Sequence, residues 1–249
     1  MSYYCGGIFG FADAGDVLYC INNGEINGCR TVGGLAGWMY YKNTTLKYSY
    51  NTGSVSGSQY VGGIAGGASG NARVTDCFSA GSVTAQSNAG GIAGNADSSS
   101  LSNCCYSSTA FGGSAFGSLG TACQNCTAYT AEQFASGEAA YTLNKNENAE
   151  IWYQTLGENT LPTFDSAEKS VYKYVLADSC GYRNSLDINA DGSEDDGDYT
   201  IIKNIALGKT AAYTAEQLAL SDVDGDGCTD VLDAMFYNLV VYNTENRGF

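Results

Sequence analysis

Two short stretches of this 249-residue chain concentrate oxygen donors at regular intervals. In the twelve residues from Asp187 to Asp198, Asp187, Asn189, Asp191, Asp195 and Asp198 stand at positions 1, 3, 5, 9 and 12, with Gly192 at position 6 and Ser193 at position 7. The arrangement returns 35 residues later as Asp222, Asp224, Asp226, Asp230 and Asp233, with Gly227 at position 6 and Cys228 at position 7. Alternate carboxylates can turn into one loop interior, glycine permits the sharp bend, and the residue at position 7 offers its main-chain carbonyl. That donor set suits Ca²⁺, a hard cation that takes six to eight oxygens, and two loops imply two ions. Cys228 contributes only its carbonyl, because a soft sulfur does not suit a hard cation. Without metal the crowded carboxylates repel one another, so metal binding is expected to be part of folding.

Such loops need helices to hold them. Apolar residues at helical spacing predict helices from Tyr199 to Leu207, stopped near Gly208, and from Ala234 to about Tyr242. No helix is expected to enter the first loop, since Cys180 to Leu186 lacks helical period and contains Gly181. Between the loops, Thr214-Ala215-Glu216-Gln217 has capping-box spacing and predicts a connecting helix. The same Ala-Tyr-Thr-Ala-Glu-Gln string occurs at residues 128–133, where Thr130 and Gln133 predict a helix running through Phe134 and Ala140 to about Leu143.

The formal charge is −15, and it is concentrated. Residues 1–127 hold five acids against four bases, whereas residues 180–233 hold twelve against three. Clustered Lys and Arg for phosphate contacts are missing, which argues against nucleic-acid binding. Histidine is absent, which removes the usual base of Ser and Cys hydrolases and every His-bearing zinc site. No apolar run of eighteen residues exists, and Met1-Ser2-Tyr3-Tyr4 lacks the basic and apolar regions of a signal peptide. The chain enters a repeat almost at once, at Cys5-Gly6-Gly7, as a fragment with upstream sequence would.

The first half is organised by the pentads Gly6-Gly7-Ile8-Phe9-Gly10, Gly33-Gly34-Leu35-Ala36-Gly37, Gly62-Gly63-Ile64-Ala65-Gly66 and Gly90-Gly91-Ile92-Ala93-Gly94. Each is followed by a polar loop and a short alternating stretch ending near Ile26, Val55 or Val83, while a further copy at Cys105-Tyr106-Ser107 decays. With 33 Gly, 19 Tyr and one Pro, short strands and glycine turns at a period of about 28 residues predict a β-solenoid whose coils stack to bury what one coil cannot. The residue after each Gly pair, with Ile26, Val55 and Val83, is expected to point inward. The glycines fit either positive φ or close backbone approach. An antiparallel sandwich of hairpins is the alternative architecture.

Cys20, Cys77 and Cys105 are read as one repeat position, occupied by Ser49 in the second coil, and so as a ladder of small buried residues. Cys123-Gln124-Asn125-Cys126 with Cys104-Cys105 is the alternative zinc reading. Trp152-Tyr153-Gln154-Thr155-Leu156-Gly157, Pro162 and Val171-Tyr172-Lys173-Tyr174-Val175 read as strand and loop closing the last coil. Trp152 and Tyr153 belong either to core or to a sugar-stacking surface.

The repeat pattern resembles the GLUG motif of bacterial secreted and surface proteins over about residues 5–120. The two metal loops resemble the dockerin module over residues 180–242, including Asp198 and Asp233 at position 12, where calmodulin-type loops carry Glu. The expected fold is a mainly β solenoid of about four coils with a small α/β cap, followed by an all-α EF-hand-like dockerin. The expected domains are residues 1–127, 128–177 and 178–249. The resemblance implies a cohesin partner from a scaffold protein, met through Asp196, Gly197, Lys203 and Asn204 in the first repeat and Val231, Leu232, Asn238 and Leu239 in the second. Because the two sets differ, a single preferred docking face is expected. Packing of Val231 and Leu232 against the first helix is the alternative.

Three functional readings follow. The first is a non-catalytic, secreted component of a cohesin–dockerin assembly acting on polysaccharide, with the repeats as spacer, adhesive or binding surface. The second is a polysaccharide-degrading enzyme, or part of one, tethered by the dockerin. The third is a calcium-stabilised adhesin. The repeats carry few charged residues and no evident carboxylate pair, which weighs against the enzyme.

Overall fold

The computed structural model describes residues 3–41, 44–97, 99–118, 123–145, 150–176 and 179–244. The chain divides into two compact units, Met1–Phe134 with Lys145–Ile151, and Ala135–Asn144 with Trp152–Phe249.

The first unit is a parallel β-solenoid. Its third coil carries the strands Val55–Gly62, Ala65–Ser69, Arg73–Thr75 and Phe78–Ser79. Each pairs in parallel with the matching strand of the next coil, so that Val55 lies against Val83, Ala65 against Ala93, Val74 against Leu101 and Phe78 against Cys105. Repetition of this step builds four parallel sheets, which excludes the hairpin sandwich. A shortened last turn, with Phe116–Ser118 and Thr127–Tyr129, extends the stack past the point where the repeat decays in sequence.

The inward residues form two columns. Leu35, Ile64 and Ile92 are buried with Met39, Leu46, Val74 and Leu101. Val55 and Val83 belong to a separate column with Val32 and Val61, on the other side of the glycine corner, and Ile26 packs partly against it. Each fully buried aliphatic side chain contributes about 1.5–3 kcal/mol. Ile8, on the outermost coil, departs from the expected stack and is 43% exposed.

The glycine pairs serve close approach. A Cβ on Gly62 would lie 2.0 Å from the Ala65 carbonyl oxygen, and one on Gly34 2.2 Å from that of Gly63, so no larger residue fits between coils. Left-handed backbone falls instead on Tyr19, Tyr48, Asp76, Asn103 and Asn125, at one recurring corner with φ between 49° and 57°. The residue after each of these starts the small-residue ladder. The Cys20, Cys77 and Cys104 thiols and the Ser49 hydroxyl each donate to the carbonyl two residues back. The fourth rung is therefore Cys104. Cys105 aligns with Phe78 instead, because this corner recurs after 27 residues, from Asp76 to Asn103, where the glycine pentads step by 28. Burial pushes the Cys77 and Cys105 thiols well up, as a structural role requires. Cys126 is disulfide-bonded, which removes one thiolate from the alternative zinc set.

The helix expected from Thr130 to Leu143 is two, α1 at Ala131–Ala135 and α2 at Glu138–Asn144. Thr130 and Gln133 form the expected reciprocal cap. The break falls at Gly137, whose φ is 91° and where a Cβ would lie 2.8 Å from Leu156 and Val171.

In the second unit Trp152 is fully buried, so its indole packs as core and cannot stack on a sugar. Tyr172–Leu176 pairs in antiparallel fashion with Ser179–Arg183. The helices that follow are α3 at Asp196–Ala206, α4 at Ala215–Leu220 and α5 at Val231–Thr244. Their core is Leu186, Ile188, Ile202, Ile205, Val223 and Tyr237, joined by Tyr172 from the hairpin. The side chain of Asn184 fastens the preceding segment to this unit. Its amide donates to the Gln154 and Ser170 carbonyls at 2.7 Å, and its oxygen accepts from the Leu156 amide.

Candidate metal centre

The helices α3 and α5 begin earlier than their apolar pattern indicates, inside the two acidic loops. At the start of α3, Asp195 caps the helix by accepting from the Gly197 amide while Asp198 reaches back to the Asp195 amide. Asp230 and Asp233 repeat this at the start of α5. Positions 9 and 12 of each loop thus form a helix N-terminal capping box, and that box holds two of the expected ligands in place.

Most of the other loop hydrogen bonds recur in both repeats. The amides of Ile188 and Asn189 donate to Asp198 Oδ1 at 2.7 and 3.0 Å, as those of Val223 and Asp224 donate to Asp233 Oδ1 at 2.6 and 3.2 Å. Gly192 donates to Asp187 Oδ2, and Gly227 to Asp222 Oδ2. Ser193 donates to Asp191 Oδ1, and Cys228 to Asp226 Oδ1. Gly192 and Gly227 have φ of 92° and 99°, so the sharp bend at position 6 requires glycine in both.

In the second loop, carboxylate oxygens of Asp222, Asp224 and Asp226 converge within 4.8 Å of one another. Asp222 is 5% exposed, and its Oδ1 is buried with no hydrogen-bond partner among the described residues. A buried carboxylate oxygen lacking a donor is costly, and a hard divalent cation is the partner that fits it and its neighbours. Burial raises the carboxyls of Asp224 and Asp233 above their ordinary range, and the surrounding aspartates add to the rise.

The first loop differs in three respects. Its Asp191 amide also donates to Asp187 Oδ1 at 3.2 Å, whereas the matching Asp222 Oδ1 accepts from no described residue. Asn189 replaces an acid at position 3, with its amide nitrogen 2.8 Å from Asp191. The Tyr237 hydroxyl, from α5, lies 3.1 Å from Asp198 Oδ2 and 3.0 Å from the Asp195 carbonyl oxygen, so the second repeat braces the first. Ile202 occupies the corresponding place in the first repeat, and that exchange of Ile for Tyr was the one available sequence signal of the brace. Glu194, also unassigned from sequence, accepts from the Ser185 hydroxyl and the Leu186 amide at the entrance to the loop.

The residues assigned to a partner face divide. On α5, Val231, Leu232 and Leu239 are 64%, 52% and 61% exposed, which excludes their packing against the first helix. Met235, 62% exposed one turn after Val231, completes the apolar row and was missed in sequence. Asn238 is half-buried. On α3, Asp196 and Lys203 are exposed and Gly197 is half-buried, while Asn204 is occupied by hydrogen bonds from its amide to Tyr213 and from Lys209 to its oxygen.

Comparison with known families finds one matching segment in each part of the chain. Residues 185–238 match the dockerin type I domain, and residues 57–84 match the GLUG motif. The chain therefore carries a C-terminal dockerin domain preceded by a GLUG motif. No curated protein and no solved structure matches it.

Proposed function

We propose that this protein is a non-catalytic, secreted component of a cohesin–dockerin assembly. Its dockerin binds two calcium ions, one through Asp187, Asn189, Asp191, Ser193, Asp195 and Asp198, the other through Asp222, Asp224, Asp226, Cys228, Asp230 and Asp233. Calcium holds α3 and α5 in the relation that presents the partner face. The GLUG solenoid serves as spacer, adhesive or ligand-binding surface.

The observation that carries the docking reading is the apolar row Val231, Leu232, Met235 and Leu239, exposed on the helix that leaves the second metal loop. Contiguous exposed apolar side chains on a small, highly charged module mark an interaction surface. The corresponding face of α3 is polar, with Asp196 and Lys203 exposed, so one orientation on the cohesin is favoured.

Pull-down of cohesin domains by the full chain tests this. Capture is expected in calcium and not in chelator, and Val231→Asp with Leu239→Asp is expected to abolish it while leaving calcium binding intact. Capture that persists in chelator, or that survives the double substitution, contradicts the proposal.

A further inference from the structure

The two loops share most of their internal hydrogen bonds but not their surroundings. At position 4 the first loop has Ala190, left-handed at φ 60° and exposed. The second has Gly225 at φ 74°, and there a Cβ would fall 3.2 Å from the Tyr141 hydroxyl oxygen and 3.5 Å from both Cβ and Cδ of Lys173. Neither residue lies in the region matched to the dockerin domain. Tyr141 comes from α2 and Lys173 from the hairpin strand Tyr172–Leu176.

This covering segment is anchored independently of the loop. The Tyr141 ring lies 5.7 Å from that of Tyr182 on the second hairpin strand. Next on that strand, the Arg183 guanidinium donates to the Leu220 carbonyl at 2.5 Å, two residues before the first ligand of the loop. Tyr172, beside Lys173, is buried in the core shared with α3 and α5. Under this cover Asp222 is 5% exposed, whereas its counterpart Asp187 is half-buried.

We infer that Tyr141 and Lys173 form a lid on the second metal loop, which raises the calcium affinity of that loop alone and makes calcium binding there order α2 and the hairpin. The inference rests on the calcium reading above. Physically, the lid limits the loop's freedom before the ion arrives and keeps water from Asp222, so the ion meets its carboxylates in a less polar setting. Linkage then requires the reverse effect, calcium stabilising the lid by the same factor. Tyr141 is a positioning residue in this scheme, acting on the loop at Gly225.

Calorimetric calcium titration of the full chain in two backgrounds separates the loops, Asp187→Ala leaving the second and Asp222→Ala leaving the first. Tyr141→Ala is expected to weaken binding about tenfold in the Asp187→Ala background and to leave the Asp222→Ala background unchanged. Gly225→Ala is expected to weaken the second loop, through its left-handed backbone and through the methyl group set against the hydroxyl, and adding Tyr141→Phe is expected to recover the second part of that loss only. Equal affinity with and without Tyr141, or an equal loss in both backgrounds, overturns the lid. Absence of calcium binding in both backgrounds, with Tyr141 intact, overturns the calcium reading itself and is distinct from either result.

Discussion

The first metal loop is braced from within the dockerin fold and the second is covered from outside it. In the first, Tyr237 reaches across from α5 to Asp198 and the Asp195 carbonyl, while Ala190 faces solvent. In the second, Ile202 stands where Tyr237 does and has no hydroxyl to offer, and Tyr141 and Lys173 lie over Gly225. A tandem repeat with largely the same internal hydrogen bonds can thus be stabilised at its two sites by different neighbours. Ligand spacing alone does not set affinity, because burial and the shell beyond the ligands act on it too.

The largest expected effect is that of metal removal. Chelation should markedly lower the thermal transition of the dockerin unit and leave that of the solenoid in place, since binding at a thousandfold excess over Kd stabilises by about 4 kcal/mol per site. Differential scanning calorimetry with and without chelator checks this. In the same measurement Asp222→Ala should cost more than Asp187→Ala, because Asp222 is the more deeply buried ligand. Equal losses would erase the distinction between the loops.

Next in size is Tyr237→Phe. It removes one hydroxyl that serves two acceptors around the first loop and should cost about 1–2 kcal/mol, with weaker calcium binding in the Asp222→Ala background and none of that loss in the Asp187→Ala background. Denaturation in calcium and site-resolved titration report the two parts.

A smaller effect concerns pH. Burial raises Asp224 and Asp233 above their unfolded values, so in chelator the folded second loop binds more protons than the unfolded chain. Stability of the chelated protein should therefore fall as pH rises from the ordinary carboxylate range through the raised values, and level off above them. With saturating calcium the sign reverses, since protons then compete with the ion. Urea midpoints between pH 4 and 7 in both conditions check the reversal. Smallest of all, Cys228→Ser should leave calcium affinity unchanged, because Ser193 already holds the same place in the first loop and only the carbonyl is offered.

Much of the site was legible because its chemistry is local. Donor spacing, the position-6 glycines and the Thr214–Gln217 box are all written within a few residues, and the glycines and the box have the expected geometry. The helix starts were not, since the apolar pattern begins only after the capping box that starts each helix. In the solenoid, the period and the glycine pentads identified the coils. The fourth ladder rung was misplaced at Cys105 because two neighbouring cysteines satisfy the pattern equally and only strand register selects Cys104.

By itself, then, the sequence determined the solenoid period, the two metal loops and the helices between them, because each depends on the order of neighbouring residues along the chain. Tertiary structure decided what that order does not encode. It showed that the glycine pairs serve close approach and not left-handed backbone, that Trp152 is core, and that Val231 and Leu232 remain outside it. It also brought Tyr237 to Asp198, and Tyr141 and Lys173 to Gly225. These contacts join residues 39 to 84 positions apart, and no local propensity reports which distant side chains will share a surface.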